Sequence, residues 1–340
     1  MKKRIDWIDE TKGWGILCIM MAHVFQYFQA TSSLNAYICS FHVPIFFVIT
    51  GCMDFCFRDK KFDFKKRTYA LLVPYVAFSM INFVLKIAVF GIMHNLSAEM
   101  IKNELIDLLI IGNGTVWFLL TLWILNILTQ YGMKRLPSKW MIFLVGILTL
   151  IVTYSIHLPW SPVWALCIRP IAALGYWAMG YVFSSIVDKG SSVGFLGLIL
   201  IVSGWVVVLM NDIHIDFFGG IFLNGISSVA ASLLSSFGFI LLFCWISKKR
   251  LFQWPQRVLL FFGKNSLIVM LIHPLWLQCF MYPLRGWFGG LTGMESFMMA
   301  ILIYVVIVLL EVPSIWIMNK YFGVLVGKKR LHEKESDSIY

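Results

Sequence analysis

Charge is what this sequence has least of. Only 13% of its 340 residues are Asp, Glu, Lys or Arg, about half the share of an ordinary soluble domain. A chain this poor in ionisable groups cannot cover a large water-facing surface, so a sizeable soluble domain is excluded. It also lacks long Pro-, Gly- or Ser-rich linkers, low-complexity tracts and internal repeats. Cys18, Cys39, Cys52, Cys56, Cys167, Cys244 and Cys279 show no metal-type spacing with histidine. Most lie in apolar runs, where Cys acts as a small hydrophobe, so we expect neither a disulfide framework nor a metal site. The start does not read as a cleaved signal, because the polar stretch Asp6 to Lys12 precedes the first apolar run.

What is present is apolar: 60% of the residues are hydrophobic, gathered in blocks approaching the roughly 20 residues a bilayer span needs. Ten candidate spans run approximately over 12–30, 36–57, 68–93, 115–131, 140–157, 163–187, 193–211, 218–246, 257–281 and 296–319. With the N-terminus inside, the inner segments hold 23 of the 28 Lys and Arg residues. That bias places both termini in the cytoplasm. The +11 net charge therefore calls for no nucleic-acid partner. The expected fold is an all-α polytopic membrane protein with about ten transmembrane helices. Residues 1–325 form one membrane domain and 326–340 a short charged cytoplasmic tail.

The polar residues inside these spans carry the chemistry. In "KGWGILCIMMAH", Lys12 and His23 bracket an apolar run. Helical rise puts His23 roughly 16 Å above Lys12 and some 20° away in azimuth, on one face. His42, Asn82, Arg169 and His273 fall in the outer parts of their spans, as do Asn113 and Trp117 at the outer end of the fourth. Ionisable groups at such depth are costly and face a cavity or a partner. Each also has a plainer reading. Lys12 can anchor a span at the interface, the histidines can bridge helices, and Arg169, before Pro170, can satisfy carbonyls freed by a helix break. Lys264 and Glu311 share a depth and are expected to form an ion pair.

"RIDWIDETKGWGILCIMMAH" resembles the opening of integral-membrane acyltransferase family 3, in particular its fucose 4-O-acetylase-like branch. Lys12 and His23 match a basic residue and a histidine of that family, with Asp9 and Gly13 flanking. "FHVPIFFVITG", "KKRTYALLVPY", "VWFLLTLW", "GYWAMGY" and "FGKNSLIVMLIH" follow in the family's order. One departure stands out: Arg67 matches the first of two arginines three apart, but Ala70 holds the second position. A second anion contact then falls to Lys61, Lys65 or Lys66.

The resemblance implies transfer of an acyl group, commonly acetyl, from acyl-CoA as co-substrate to a hydroxyl of a carbohydrate or glycolipid acceptor. No permanently bound cofactor and no metal is implied. Lys12, Arg67 and Lys66 would hold the anionic donor. His23 would be the general base or carry the acyl group. His42, Asn82, Trp117, Arg169 and His273 would bind the acceptor or stabilise the oxyanion. The setting would be a cell membrane, most simply the cytoplasmic membrane of a bacterium. The alternative is a polytopic transporter or flippase for an envelope precursor, since polar residues at mid-depth also mark transport pathways.

Overall fold

The computed structural model describes residues 5–28, 32–59, 61–92, 96–156, 158–188, 194–211, 213, 215–249, 253–288 and 290–328. Most of the charged tail (329–340) and the side chain of Arg285 lie outside the described residues.

The described residues form α1 (Asp6–Phe25), α2 (Ser32–Phe41), α3 (Pro44–Cys56), α4 (Phe64–Ile92), α5 (Ala98–Ile110), α6 (Trp117–Tyr131) and α7 (Lys139–Ser155). They continue with α8 (Pro162–Asp188), α9 (Gly194–Met210), α10 (Gly225–Lys249), α11 (Gln253–Lys264), α12 (Ser266–Phe288) and α13 (Gly293–Tyr321). A two-stranded antiparallel hairpin, β1 (Ile215–Asp216) and β2 (Ile221–Phe222), sits between α9 and α10. Each predicted span has a helical counterpart. Six of them are long and apolar enough to cross a membrane, or seven if α11 and α12 count as one broken span. The apolar helices α7 and α9 are shorter, at 17 residues each. Large apolar side chains on α4, α7 and α9, among them Val84, Leu144 and Val202, point outward. This is the surface expected where hydrocarbon replaces water.

Three predicted spans differ from what the apolar runs alone suggest. The second breaks into α2 and α3, because Pro44 cannot continue a hydrogen-bonded ladder and instead opens α3 at its first turn. His42 lies in that break. The eighth begins at Gly225, since 218–224 belongs to the hairpin and its flanks; Gly220 (φ +64°) turns it. The ninth bends by 82° at Asn265, between α11 and α12. An additional helix, α5, is held on α4 by an ion pair of Lys86 with Glu104 (2.9 Å).

Glycines set the close crossings. A Cβ on Gly13 would lie 2.0 Å from the Leu259 carbonyl oxygen, and one on Gly263 would lie 1.7 Å from that of Asp9. α1 and α11 thus meet backbone to backbone, the contact that small residues permit between membrane helices.

The expected Lys264–Glu311 pair is not formed. Lys264 is exposed, whereas Glu311 is 0% exposed and neither carboxylate oxygen has a hydrogen-bond partner among the described residues. Similar depth did not bring them together, because the bend at Asn265 turns Lys264 outward from the line of α12. An unpartnered ionised carboxylate is costly to bury. Glu311→Gln, which removes the charge and keeps the shape, is therefore expected to leave thermal stability in detergent unchanged or raised. A clear fall in the melting temperature would show that the carboxyl group itself is required.

Candidate active site

His23 occupies the last turn of α1 and is half-buried. It lines a cavity of about 700 Å³ together with His42, Trp117, Asp216 and, from α12, Met270 and Gln278. The wall therefore draws on α1, the α2–α3 break, the start of α6, the hairpin and α12. Its position follows from local chain chemistry: Pro44 places His42 at a break, and the Gly112–Val116 turn brings Trp117 to the start of α6.

His23 Nδ1 lies 3.1 Å from Nε2 of His273, and the two rings are tilted by 34°. His273 Nδ1 lies 2.7 Å from the Val269 carbonyl oxygen. His273 is fully buried and is not among the cavity-lining residues. His42 donates its Nδ1–H to the Ile38 carbonyl (2.9 Å). In its neutral form the ring then presents Nε2 as a lone pair, so His42 can accept a hydrogen bond at that nitrogen and has none left to donate.

Arg169 is 2% exposed and lies outside the cavity lining. Its Nε donates to the Phe217 carbonyl (2.9 Å) and its Nη2 to that of Phe218, while its guanidinium sits 5.0 Å over the Trp117 ring. Phe217 in turn stacks on Trp117 at 12°. The arginine thus fastens the hairpin against the start of α6. The carbonyls it satisfies belong to the hairpin and not to a break at Pro170, since α8 runs through that proline. Asn82 is also one step removed: its Nδ2 donates to the Asn113 carbonyl (3.0 Å). Thr115 in the same turn donates to the Met270 carbonyl (2.7 Å), tying this turn to the helix that carries His273.

At the other end of α1, Lys12 is half-buried, and Lys61, Lys65, Lys66 and Arg67 are exposed around the start of α4. Neither Lys12, Lys66 nor Arg67 lines the cavity, whose deepest contact on α1 is Ile19. The backbone at Ala70 lies against the Gly327 turn that follows α13. Gln26, Asn35, Asp216 and Gln278 line the cavity without having been expected there. They lie at the ends of spans or in the hairpin, to which the alternating "IHIDF" and the glycine-containing turn pairs after it were the available signals.

A bundle of apolar helices around a partly open cavity of mixed polar and apolar lining, with imidazoles in and behind its wall, defines a multi-pass membrane protein with a pocket suited to binding or reaction. The family model described as an acyltransferase domain, the third such family, matches residues 5–319. The chain belongs to that acyltransferase family. It matches no curated protein and no solved structure.

Proposed function

We propose that this acyltransferase is a membrane-embedded O-acyltransferase. It moves an acetyl or similar acyl group from a cytoplasmic acyl-CoA to a hydroxyl of a carbohydrate or cell-envelope acceptor, along the lines of the fucose 4-O-acetylase-like branch. One observation carries the reading: His23, on the face of α1 that begins at Lys12, opens onto a cavity rich in hydrogen-bonding side chains.

The acceptor hydroxyl enters that cavity and gives its proton to the His23 imidazole as its oxygen attacks the thioester carbonyl. A tetrahedral oxyanion forms. It collapses with cleavage of the carbon–sulfur bond, and the imidazolium returns the proton to the departing CoA thiolate. Amide side chains of Gln26, Asn35 and Gln278 line the same chamber and carry donors suited to the oxyanion or to sugar hydroxyls. Tyr27, which is exposed, offers a face for a sugar ring, while Trp117, its ring taken up by Arg169 and Phe217, shapes the wall. The CoA phosphates are held at the Lys12 end by Lys12, Lys66 and Arg67; the roughly 16 Å of helix from there to His23 is packed at Ile16, so that stretch must open for the pantetheine arm to reach the cavity. In this arrangement the chain crosses the bilayer ten times, counting α1, α7, α9 and the bent α11–α12 pair with the six longer spans, and both termini face the cytoplasm.

The test is purified protein in nanodiscs, given acetyl-CoA and a panel of hydroxylated glycans. Release of free CoA matched by acetylated glycan supports the reading. Glycan movement across the bilayer with no CoA released would make it a transporter or flippase instead. Lys12→Ala is expected to raise the acetyl-CoA KM about tenfold at near-normal kcat, the size of one charge-assisted hydrogen bond. An unchanged KM would remove Lys12 from the donor site.

A further inference from the structure

We infer that His273 is a positioning residue that sets the tautomer of His23, holding a proton on His23 Nδ1 and leaving Nε2 as the basic nitrogen. This rests on the reading of His23 as the general base. The direction of the chain of hydrogen bonds follows from its end. The Val269 carbonyl can only accept, so the His273 Nδ1 lying 2.7 Å from it carries a hydrogen. In a neutral ring the lone pair is then on Nε2. That lone pair faces His23 Nδ1 at 3.1 Å and accepts the hydrogen there. His23 in turn has its lone pair on Nε2, the ring nitrogen not engaged by His273, while its ring lines the cavity. The backbone carbonyl thus orients two rings in series, and the second acts at the chamber wall.

The fold supports the assignment independently of protonation. His273 is fully buried and lines no part of the chamber, so it acts on a substrate only through His23. Its helix is anchored beside the site from both sides. Thr115 donates to Met270 one turn earlier, and Trp276 Nε1 donates to Ser314 Oγ (3.2 Å) one turn later. A histidine that merely filled space would need neither nitrogen aligned; here both are. Fixing an imidazole's tautomer and orientation is the service a buried acceptor performs for a histidine base.

The experiment has two arms on the full-length protein. In the first, which needs no substrate, histidine is labelled with nitrogen-15 in the wild type. Expected are a protonated Nδ1 and an unprotonated Nε2 on His23, with scalar coupling between His23 Nδ1 and His273 Nε2 across the hydrogen bond. A protonated Nε2 on His23, or no coupling, overturns the inference. In the second, His273→Leu and His273→Gln are compared per folded molecule. The glutamine amide oxygen can still accept from His23, so kcat is expected to stay within about threefold of wild type, while leucine lowers it by about tenfold or more at unchanged donor KM. Equal losses in both variants, or no loss in His273→Leu, overturn it. If acyl transfer itself were absent from the wild type, the reading of the reaction would fall while the nitrogen-15 result would still decide the tautomer.

Discussion

His23→Ala is expected to lower kcat for acyl transfer by about 10²- to 10⁴-fold, the range a positioned acid–base group supplies, with donor KM little changed. The side chain is half-buried at the end of α1 and contributes to the cavity wall. Its removal enlarges a chamber that already exists rather than opening a void in a packed core, so the protein should stay folded and the loss should be chemical. The instructive control is His42→Ala. His42 borders the same chamber with its Nδ1–H committed to Ile38, and it is the obvious competitor for the role of base. As a hydroxyl-binding group it should raise acceptor KM more than it lowers kcat. If instead His23→Ala were near wild type and His42→Ala nearly inactive, the base would be the histidine at the α2–α3 break.

Gly263→Leu is expected to abolish activity through structure alone. A Cβ there would overlap the Asp9 carbonyl at 1.7 Å. The obstacle is backbone, which cannot swing aside as a flexible side chain does. α1 and α11 must separate, at a cost above the roughly 1–3 kcal/mol typical of an overpacked core. The same movement pulls α1 from α12 and takes His23 away from His273. The check is twofold: a large fall in melting temperature in detergent, and activity lost in parallel with folded protein. Gly263→Ala is the graded companion, with smaller losses of both. A folded, active Gly263→Leu protein would mean that the two helices are not held this closely.

The parts of this arrangement that depend on one helix were legible in the sequence. The face shared by Lys12 and His23 follows from helical rise, and α1 is unbroken across both. The helices at the apolar runs were readable for the same reason, and six of them, or seven with the bent pair, have the length and apolarity that burial in hydrocarbon needs. What depended on contacts between distant segments was not legible. His273 is apolar in context, and nothing near it names His23. The 82° bend at Asn265 lies away from the run's proline, Pro274, so composition reads the stretch across it as one straight span. The hairpin was hidden because "FFGGIFL" looks like the beginning of a helix, although Gly219–Gly220 and Asn224–Gly225 are turn pairs. α5 carries Glu99, Lys102, Glu104 and Asp107 and so escapes a search for apolar blocks. The Lys264–Glu311 expectation failed on similar grounds, since depth along two axes says nothing about which way each axis turns.

The two rings that meet behind the chamber wall are 250 residues apart in the chain. During synthesis the first emerges with the opening helix and waits while almost every later segment is inserted. No nascent fragment ending before α12 can bring the two rings together, so premature termination products are expected to lack full turnover. Splitting the gene in a connecting loop, by contrast, should allow two separately made pieces to regain turnover once they meet in the same membrane.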